Sequence, residues 1–412
     1  MPNITLVRAD LDALGPRWRA LEARADGSFF QNWTWVGCLA ERRFPDPVLL
    51  EAREDGRTVG LALFNRRRGP LGAESLWLGE SGDPALDAVF VEYNGPLLER
   101  GHEALARACL DAALHAPEGN PHPGPAPARA SGGLSRTLST DPRGGPWRRL
   151  WGRRVVLDGI GDALFDAAHA AGTVHKRRYS RPAPCVDLRA PGSFLDGLSR
   201  NTRYQLRRSA RQYETRGGLR VRRADTAEEA LAYLDALRVL HQAAWRARGQ
   251  PGVLDSEAAL SFHRALVARG VDRGEVDLLR VTAGEAVLGY LYNFRHRGRV
   301  LSYQSGFDYA GAGPHQKPGL TCHHLAIEMY RAEGAAVYDF LAGPDRYKLS
   351  LGGPGPILHW VDLVPRRSVL GLAARVRDRL DRGAAHAPAG DGHTAGDGHP
   401  AEGHPARSGH ED

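Results

Sequence analysis

Two stretches of this chain can be laid over each other without a gap. Leu49-Leu50-Glu51-Ala52-Arg53-Glu54-Asp55-Gly56-Arg57-Thr58-Val59-Gly60-Leu61 matches Leu278-Leu279-Arg280-Val281-Thr282-Ala283-Gly284-Glu285-Ala286-Val287-Leu288-Gly289-Tyr290, with Leu49-Leu50 on Leu278-Leu279 and Val59-Gly60 on Leu288-Gly289. Each reads as a β-hairpin, with β-favouring residues on either side of a short turn. Around each hairpin the same order recurs: helices before it, a third strand and another helix after it. The simplest account is a duplicated α+β unit, two copies in a 412-residue chain that is too long for one core. A glycine inside the second strand of both copies points to a bulge or a close backbone approach in each.

The first copy is expected over residues 1–183. Asp10 and Asn32 are suitable N-caps for two helices. Strands follow over 48–53 and 59–66, then near 76–78 and 95–97, a helix over 102–115 and order again from 147 to 157. Residues 116–146, rich in Pro, Gly, Ser and Ala with no apolar period, read as a disordered insertion. The second copy is expected over 184–382. It reads as a helix over 193–215, a strand over 219–223, helices over 226–246 and 256–269, a hairpin over 276–281 and 286–294, and a third strand over 300–306. A helix over 318–333, a strand over 337–341, a strand over 357–364 and a helix over 369–382 complete it. The tail, 383–412, repeats Gly-Asp-Gly-His and reads as disordered; such a tract binds metals weakly and unselectively.

Charge narrows the partners without choosing one. A formal charge of +7 and a pI near 9.4 suit nucleic acid, a lipid surface or a phosphorylated co-substrate. No run approaches 18 apolar residues and the N-terminus lacks a signal-peptide pattern, so the expected location is the cytoplasm with no transmembrane segment. Cys38, Cys109, Cys185 and Cys322 are widely spaced and read as reduced thiols. His323-His324 beside Cys322 would point in different directions on a helix, so no metal site is expected. Of 55 Lys plus Arg residues only Lys176, Lys317 and Lys348 are lysine. A position that stays lysine in such a chain suits a need for a compact, flexible ammonium.

Three places carry chemistry. The run Val337-Tyr338-Asp339-Phe340-Leu341-Ala342-Gly343-Pro344-Asp345-Arg346-Tyr347-Lys348 brings a carboxylate, a phenol and a lysine to one strand end; it reads equally as a core strand with a solvated turn. After the loop Gly311-Ala312-Gly313-Pro314, the helix start at Pro318-Gly319-Leu320-Thr321 with Lys317 beside it is either a pyrophosphate site or a plain loop-to-helix junction. Arg200, Arg203, Arg207, Arg208 and Arg211 lie along one side of a helix, as a solvated face or an anion-binding one.

Several of these residues together resemble the CelD/BcsL-type acetyltransferases of the GNAT superfamily, relatives of the tandem-domain FemAB-like transferases. They are Asn201 to Arg211, Leu240-His241 with Trp245 and Arg248-Gly249, Phe262-His263, Gly306-Phe307-Asp308, Pro318-Gly319, Tyr338-Asp339-Phe340-Leu341-Ala342-Gly343 and Tyr347-Lys348. The similarity runs from about residue 193 to 364 and is weaker over 6–188, where Glu92-Tyr93-Asn94-Gly95-Pro96-Leu97 resembles the matching part of the first copy. It implies two tandem GNAT-like domains, each a mixed sheet flanked by helices. It also implies acyl transfer from acetyl-CoA or another acyl-CoA to an amine or hydroxyl of a small-molecule or glycan acceptor, in polysaccharide or cell-envelope metabolism. The co-substrate's pyrophosphate would sit on Gly313, Lys317, Pro318, Gly319, Leu320 and Thr321, although the usual Arg/Gln-x-x-Gly-x-Gly/Ala loop is absent. Lys348, Tyr347 and Asp339 would be catalytic, with the acceptor near Arg203, Arg207, His241, Trp245, Arg248, Tyr303 and Asp308.

Attack on a thioester builds an oxyanion, which a fixed cation stabilises by a few kcal/mol, on the order of 10²-fold in rate. Asp339, Asp308 or a relayed water could take the acceptor's proton. No Ser/His/Asp order or reactive cysteine stands out, which favours direct transfer. Two other functions fit the sequence. One is a Fem-type transferase using aminoacyl-tRNA, suggested by the duplication and the basic face. The other is a non-catalytic binder of nucleic acid or anionic surfaces through Arg200 to Arg211; against nucleic acid, no aromatic platform interleaves the arginines.

Overall fold

The computed structural model describes residues 2–69, 73–87, 89–119, 152–250, 252–343 and 345–385. In chain order the first unit supplies β1 (Asn3–Arg8), α1 (Leu11–Glu22), α2 (Trp33–Arg43), β2 (Pro47–Glu54), β3 (Arg57–Arg68), β4 (Glu74–Leu78), β5 (Leu97–Leu98), α3 (Leu105–His115), β6 (Glu118–Gly119), β7 (Arg153–Gly161), α4 (Asp162–Ala171) and β8 (Thr173–Pro182). The caps are the expected ones. The Asp10 side chain accepts from the Ala13 amide and that of Asn32 from the Trp35 amide. Asp55 and Gly56, at φ 49° and 77°, make the two-residue turn between β2 and β3.

The second unit supplies β9 (Cys185–Asp187), α5 (Arg200–Glu214), β10 (Leu219–Arg223), α6 (Ala227–Arg246), α7 (Glu257–Gly270), β11 (Val276–Ala283), β12 (Ala286–His296), β13 (Arg299–Phe307), α8 (Pro318–Ala332), β14 (Val337–Asp339) and α9 (Arg346–Leu351). Thr226 and Ser256 cap α6 and α7. Two elements close the chain, β15 (Ile357–Val364) and α10 (Val369–Ala385). Among the described residues one sheet runs β6-β1-β2-β3-β4-β7-β15-β8, with β5 on β3, and the other runs β10-β11-β12-β13-β14-β9. The fold is α+β, with each sheet flanked by helices, as the sequence suggested.

The duplication is visible in the register. In the first hairpin Ala52 faces Gly60 and then Arg53 faces Thr58; in the second, Val281 faces Gly289 and then Thr282 faces Val287. The same one-residue bulge therefore stands at the matched position in both copies. The shared glycine is the close approach: a Cβ on Gly289 would lie 2.5 Å from the Gly306 carbonyl oxygen, and one on Gly60 would lie 2.8 Å from a Leu98 methyl.

Some boundaries differ from expectation. The helix expected over 193–215 is a short 3-10 turn (Phe194–Gly197) and then α5, because the Ser199 hydroxyl accepts from the Thr202 amide and restarts the helix. α4 and β8 were not anticipated. Of the insertion expected over 116–146, residues 120–146 lie outside the described residues, while Glu118–Gly119 pairs in parallel with the free edge of β1. The tail expected over 383–412 lies outside them from residue 386, and 383–385 close α10.

The compact units also divide the chain differently from a cut at 183/184. The first gathers the described parts of Met1–Gly82, Tyr93–Tyr179 and His359–Pro400, and the second gathers Asp83–Glu92 and Ser180–Leu358. Glu92 thus belongs to the second unit and most of β15 to the first. The first core is built on Leu50, Phe64, Leu78, Leu110, Leu157 and Leu363, and the second on Tyr213, Leu279, Leu291, Ile327, Tyr330 and Phe340.

Candidate functional site

One feature of the second sheet opens a place for a ligand. β13 and β14 pair in parallel only through Arg299 with Val337, Val300 with Tyr338 and Leu301 with Asp339. β13 then continues to Phe307, while the Phe340 amide turns to the Pro184 carbonyl on the other side. From Ser302 onward the β14-facing edge of β13 has no strand partner among the described residues. Unpaired strand edges are hydrogen-bonding templates.

Beyond the end of β14 the chain turns back to Lys348 in α9. Its Nζ donates to the Ala342 carbonyl at 3.0 Å, with the Leu341 carbonyl at 3.5 Å and the Asp345 carboxylate at 3.7 Å. Leu341 at φ 60° bends the chain so that these carbonyls converge on it. The Ala342 amide in turn donates to Glu92 at 2.7 Å. Glu92 is 4% exposed, and burial pushes its carboxyl up to about 8, against the pull of Lys348 and the Ala342 amide, with the charge of Asp339 adding to the rise.

This has a consequence for stability. Between the ordinary glutamate range and about pH 8 the folded chain keeps a proton on Glu92 that the unfolded chain has lost, so stability falls as pH rises through that window. Glu92→Gln mimics the protonated form and is expected to remove this slope, at most about 1.4 kcal/mol per pH unit. Thermal unfolding from pH 5 to 8 reads it; an unchanged slope in the variant refutes the assignment.

Asp339 has a different role from the catalytic one expected. It is fully buried, accepts from Arg299 at 2.6 Å and caps the Leu341 amide at 2.8 Å, so its oxygens hold the strand end and the turn. Tyr347 stacks on His323, with ring centroids 5.1 Å apart and planes 14° from parallel. Burial raises the Tyr347 phenol well above its ordinary range, which keeps it a proton donor. Burial and the Lys348 ammonium push His323 down to about 3, so its ring is a neutral plate beneath the tyrosine.

His241 projects from α6 onto the parted section of β13. Its Nδ1 lies 3.0 Å from the Ser305 carbonyl, which can only accept, so Nδ1 carries the proton and Nε2 carries the lone pair. That Nε2 is buried without a partner among the described residues, in a residue 5% exposed. Gly252 keeps room beside it, since a Cβ there would come 3.5 Å from Nε2. Trp245 packs against the imidazole at 5.8 Å, and Arg248 lies over the Trp245 ring at 5.6 Å. The Arg248 charge also reaches Tyr309 and Tyr347, which ties His241, Trp245, Arg248, Tyr309 and Tyr347 into one neighbourhood.

The start of α8 is only partly free. Gly313 donates its amide to the Gln316 side chain at 2.8 Å, and Lys317 donates its amide to the Ser209 hydroxyl at 2.8 Å. The Thr321 hydroxyl also bonds Ser209, its amide goes to the Lys317 carbonyl, and Pro318 has no N–H. Gly319 and Leu320, in the first turn, retain amides with no acceptor among the described residues. A Cβ on Gly319 would lie 3.1 Å from the Phe307 ring and 3.3 Å from the Tyr309 hydroxyl, so this residue lets the end of β13 approach the helix.

The other expected residues do not converge here. Tyr303 is 7% exposed among His263, Tyr292 and Phe294, and its hydroxyl accepts from the Phe90 amide at 3.2 Å, which makes it a core residue rather than a substrate contact. Asp308 caps the Gly311 amide at 2.9 Å. Arg203 pairs with Asp196 at 3.6 Å, and Arg207 is exposed on α5, whose buried face is Thr202, Leu206, Ser209 and Tyr213. Sequence reasoning missed Glu92 and the structural role of His323. A lone acid in Val89-Phe90-Val91-Glu92 was the available signal for the first. Among the described residues no group of three or more His, Cys, Asp or Glu side chains is placed to hold a metal ion, and no helix is long and apolar enough to cross a membrane.

With this geometry in hand, comparison with known proteins is informative. Residues 200–349 match the family described as an acetyltransferase (GNAT) domain. Among curated proteins none matches this sequence. Among solved structures, FemX superposes with a TM-score of 0.53 at 10% identity, covering 90% of this chain and 99% of its own. The C-terminal domain of a putative lysylphosphatidylglycerol synthetase from Agrobacterium fabrum gives 0.48 at 12% identity, over 90% and 96% of the two chains. A tandem GNAT protein from the clavulanic acid biosynthesis pathway gives 0.45 at 13% identity, over 87% and 98%. At 10% identity the likeness to FemX is one of fold.

Proposed function

Taking residues 200–349 as an acetyltransferase (GNAT) domain, we propose that the chain moves an acyl group from an acyl-CoA thioester to an amine or hydroxyl of a small-molecule or glycan acceptor. The proposal extends to a place in polysaccharide or cell-envelope metabolism. The observation that carries it is the parting of β13 from β14, with a lysine held at the turn after β14 and, against β13, an imidazole nitrogen without a partner among the described residues. The start of α8 fits a pyrophosphate through the Gly319 and Leu320 amides and the Lys317 side chain, while the amides of Gly313 and Lys317 are already used.

Each residue then has a task. His241 Nε2 takes the proton from the acceptor as its nitrogen or oxygen attacks the thioester carbonyl. The Lys348 ammonium faces the oxygen on which negative charge develops. Tyr347, held protonated, gives its proton to the departing sulfur, and the proton held by His241 restores the phenol through solvent. The acyl carbon gains one bond to the acceptor and loses one to sulfur, with no acyl-enzyme. Burial raises the Cys322 and Cys185 thiols above their ordinary range, which disfavours either as a nucleophile. Calorimetry with acetyl-CoA is expected to give a dissociation constant on the order of 1 μM–1 mM, the usual range for enzyme substrates. No heat of binding at millimolar acetyl-CoA overturns the acyl-CoA reading.

A second reading has one observation in its favour. Because two of the loop amides are already satisfied, a donor without a pyrophosphate, such as aminoacyl-tRNA, is less demanding of this helix start. Transfer from aminoacyl-tRNA with none from acetyl-CoA decides for it.

A further inference from the structure

The last described helix, α10, has an apolar stripe that no described residue covers. Val369, Leu372 and Val376 are 36%, 58% and 47% exposed, three of the eight large apolar side chains that stand out of the described surface. The others are scattered over other elements. With Ala373, these three fall on one side of α10 at helical spacing. Among the described residues the helix is fastened near its start. The Leu372 amide donates to the Ser368 carbonyl at 2.9 Å, and Arg375 donates to the Arg366 carbonyl at 2.6 Å.

Charge on the borders of the stripe indicates what it meets. At helical spacing Arg375 and Arg379 flank it on the Leu372 side and Arg377 flanks it on the Ala373 side, with Arg366 and Arg367 exposed just before the helix. Long cationic side chains on both borders of an apolar stripe let the stripe sink between acyl chains while the guanidinium groups stay with the phosphates. A second copy docked on this face would set the same arginines against one another, which like-charge repulsion opposes. We propose that α10 is a peripheral docking helix that lies on an anionic phospholipid surface. The inference stands apart from the acyl-transfer reading, since it uses no residue of that site.

Sedimentation of the full-length protein with phospholipid vesicles tests it. Binding to vesicles of phosphatidylcholine plus phosphatidylglycerol is expected to exceed binding to phosphatidylcholine alone by tenfold or more, and to fall as salt is raised, since each arginine near an anionic surface contributes about fivefold. Leu372→Asp with Val376→Asp is expected to reduce binding by on the order of tenfold or more, and Arg377→Gln with Arg379→Gln by a similar factor. Both pairs are solvent-facing, so thermal unfolding should match the parent. Arg200→Gln with Arg211→Gln, on α5, should leave vesicle binding unchanged. Equal binding to neutral vesicles, α10 variants that bind like the parent, or equal losses from the α5 pair overturn the proposal. So does a lipid-free dimer in sedimentation velocity that the Leu372 and Val376 changes dissociate, because the face is then an interface between copies.

Discussion

Lys348→Ala is expected to lower kcat by on the order of 10²–10³, with donor affinity nearly intact. The magnitude is that of removing one fixed donor from a developing oxyanion. The geometry suits it: the ammonium is held by the Ala342 carbonyl and its side chain is 12% exposed. Lys348→Arg should not restore the rate. A Cβ on Gly343 would already sit 2.7 Å from Nζ, so the space at this turn admits a point cation and not a planar fork. A kcat within about threefold of the parent, or equal losses in kcat and donor affinity, would move Lys348 to a structural or binding role.

His241→Ala is the second large effect, with kcat lowered by about 10²–10⁴, the range for loss of a general base. Burial holds the His241 imidazole below its ordinary range despite the Ser305 carbonyl, and the Arg248 charge lowers it further. The active form is the neutral one. Activity of the parent should therefore hold through neutral pH and fall only at pH values below the ordinary imidazole range, as His241 takes a proton. In His241→Ala this acid limb should vanish, and added imidazole should recover part of the rate through the space that Gly252 leaves. If the variant keeps the limb unchanged, another group is the base. Asp339 and Asp308 are poor replacements because Arg299, the Leu341 amide and the Gly311 amide already occupy them.

Local chemistry explains what could be read from the sequence. Asp10, Asn32, Thr226 and Ser256 each cap the helix that follows, because a short side-chain acceptor satisfies an amide three residues on. The hairpins followed from alternation and turn residues, and the matched bulges from a glycine at the same place in each. α4 and β8 were missed. The first is alanine-rich with little period to mark it, and the second carries His175-Lys176-Arg177-Arg178, a charge run with no strand signature. In the proposed site, residue type and resemblance single out Lys348, Tyr347, His241, Trp245 and Arg248. Glu92 was not, since its partner Ala342 is 250 residues away and no local pattern encodes such a meeting. The partner of Asp339 was not legible for the same reason: Arg299 reaches it from the neighbouring strand, a pairing that register decides and residue type does not.

β15 (Ile357–Val364) sits between β7 and β8, yet it is made long after both, which end at Gly161 and Pro182. During synthesis the first sheet therefore waits with a strand-wide gap while the whole second unit emerges. Glu92, made early, has nothing to cap until Ala342 appears. Pairing at such sequence separation is slow to form, and an open strand edge in the interval invites wrong partners. For this chain, completion on the ribosome is a folding step in its own right, and an N-terminal fragment would lack the strand that separates β7 from β8.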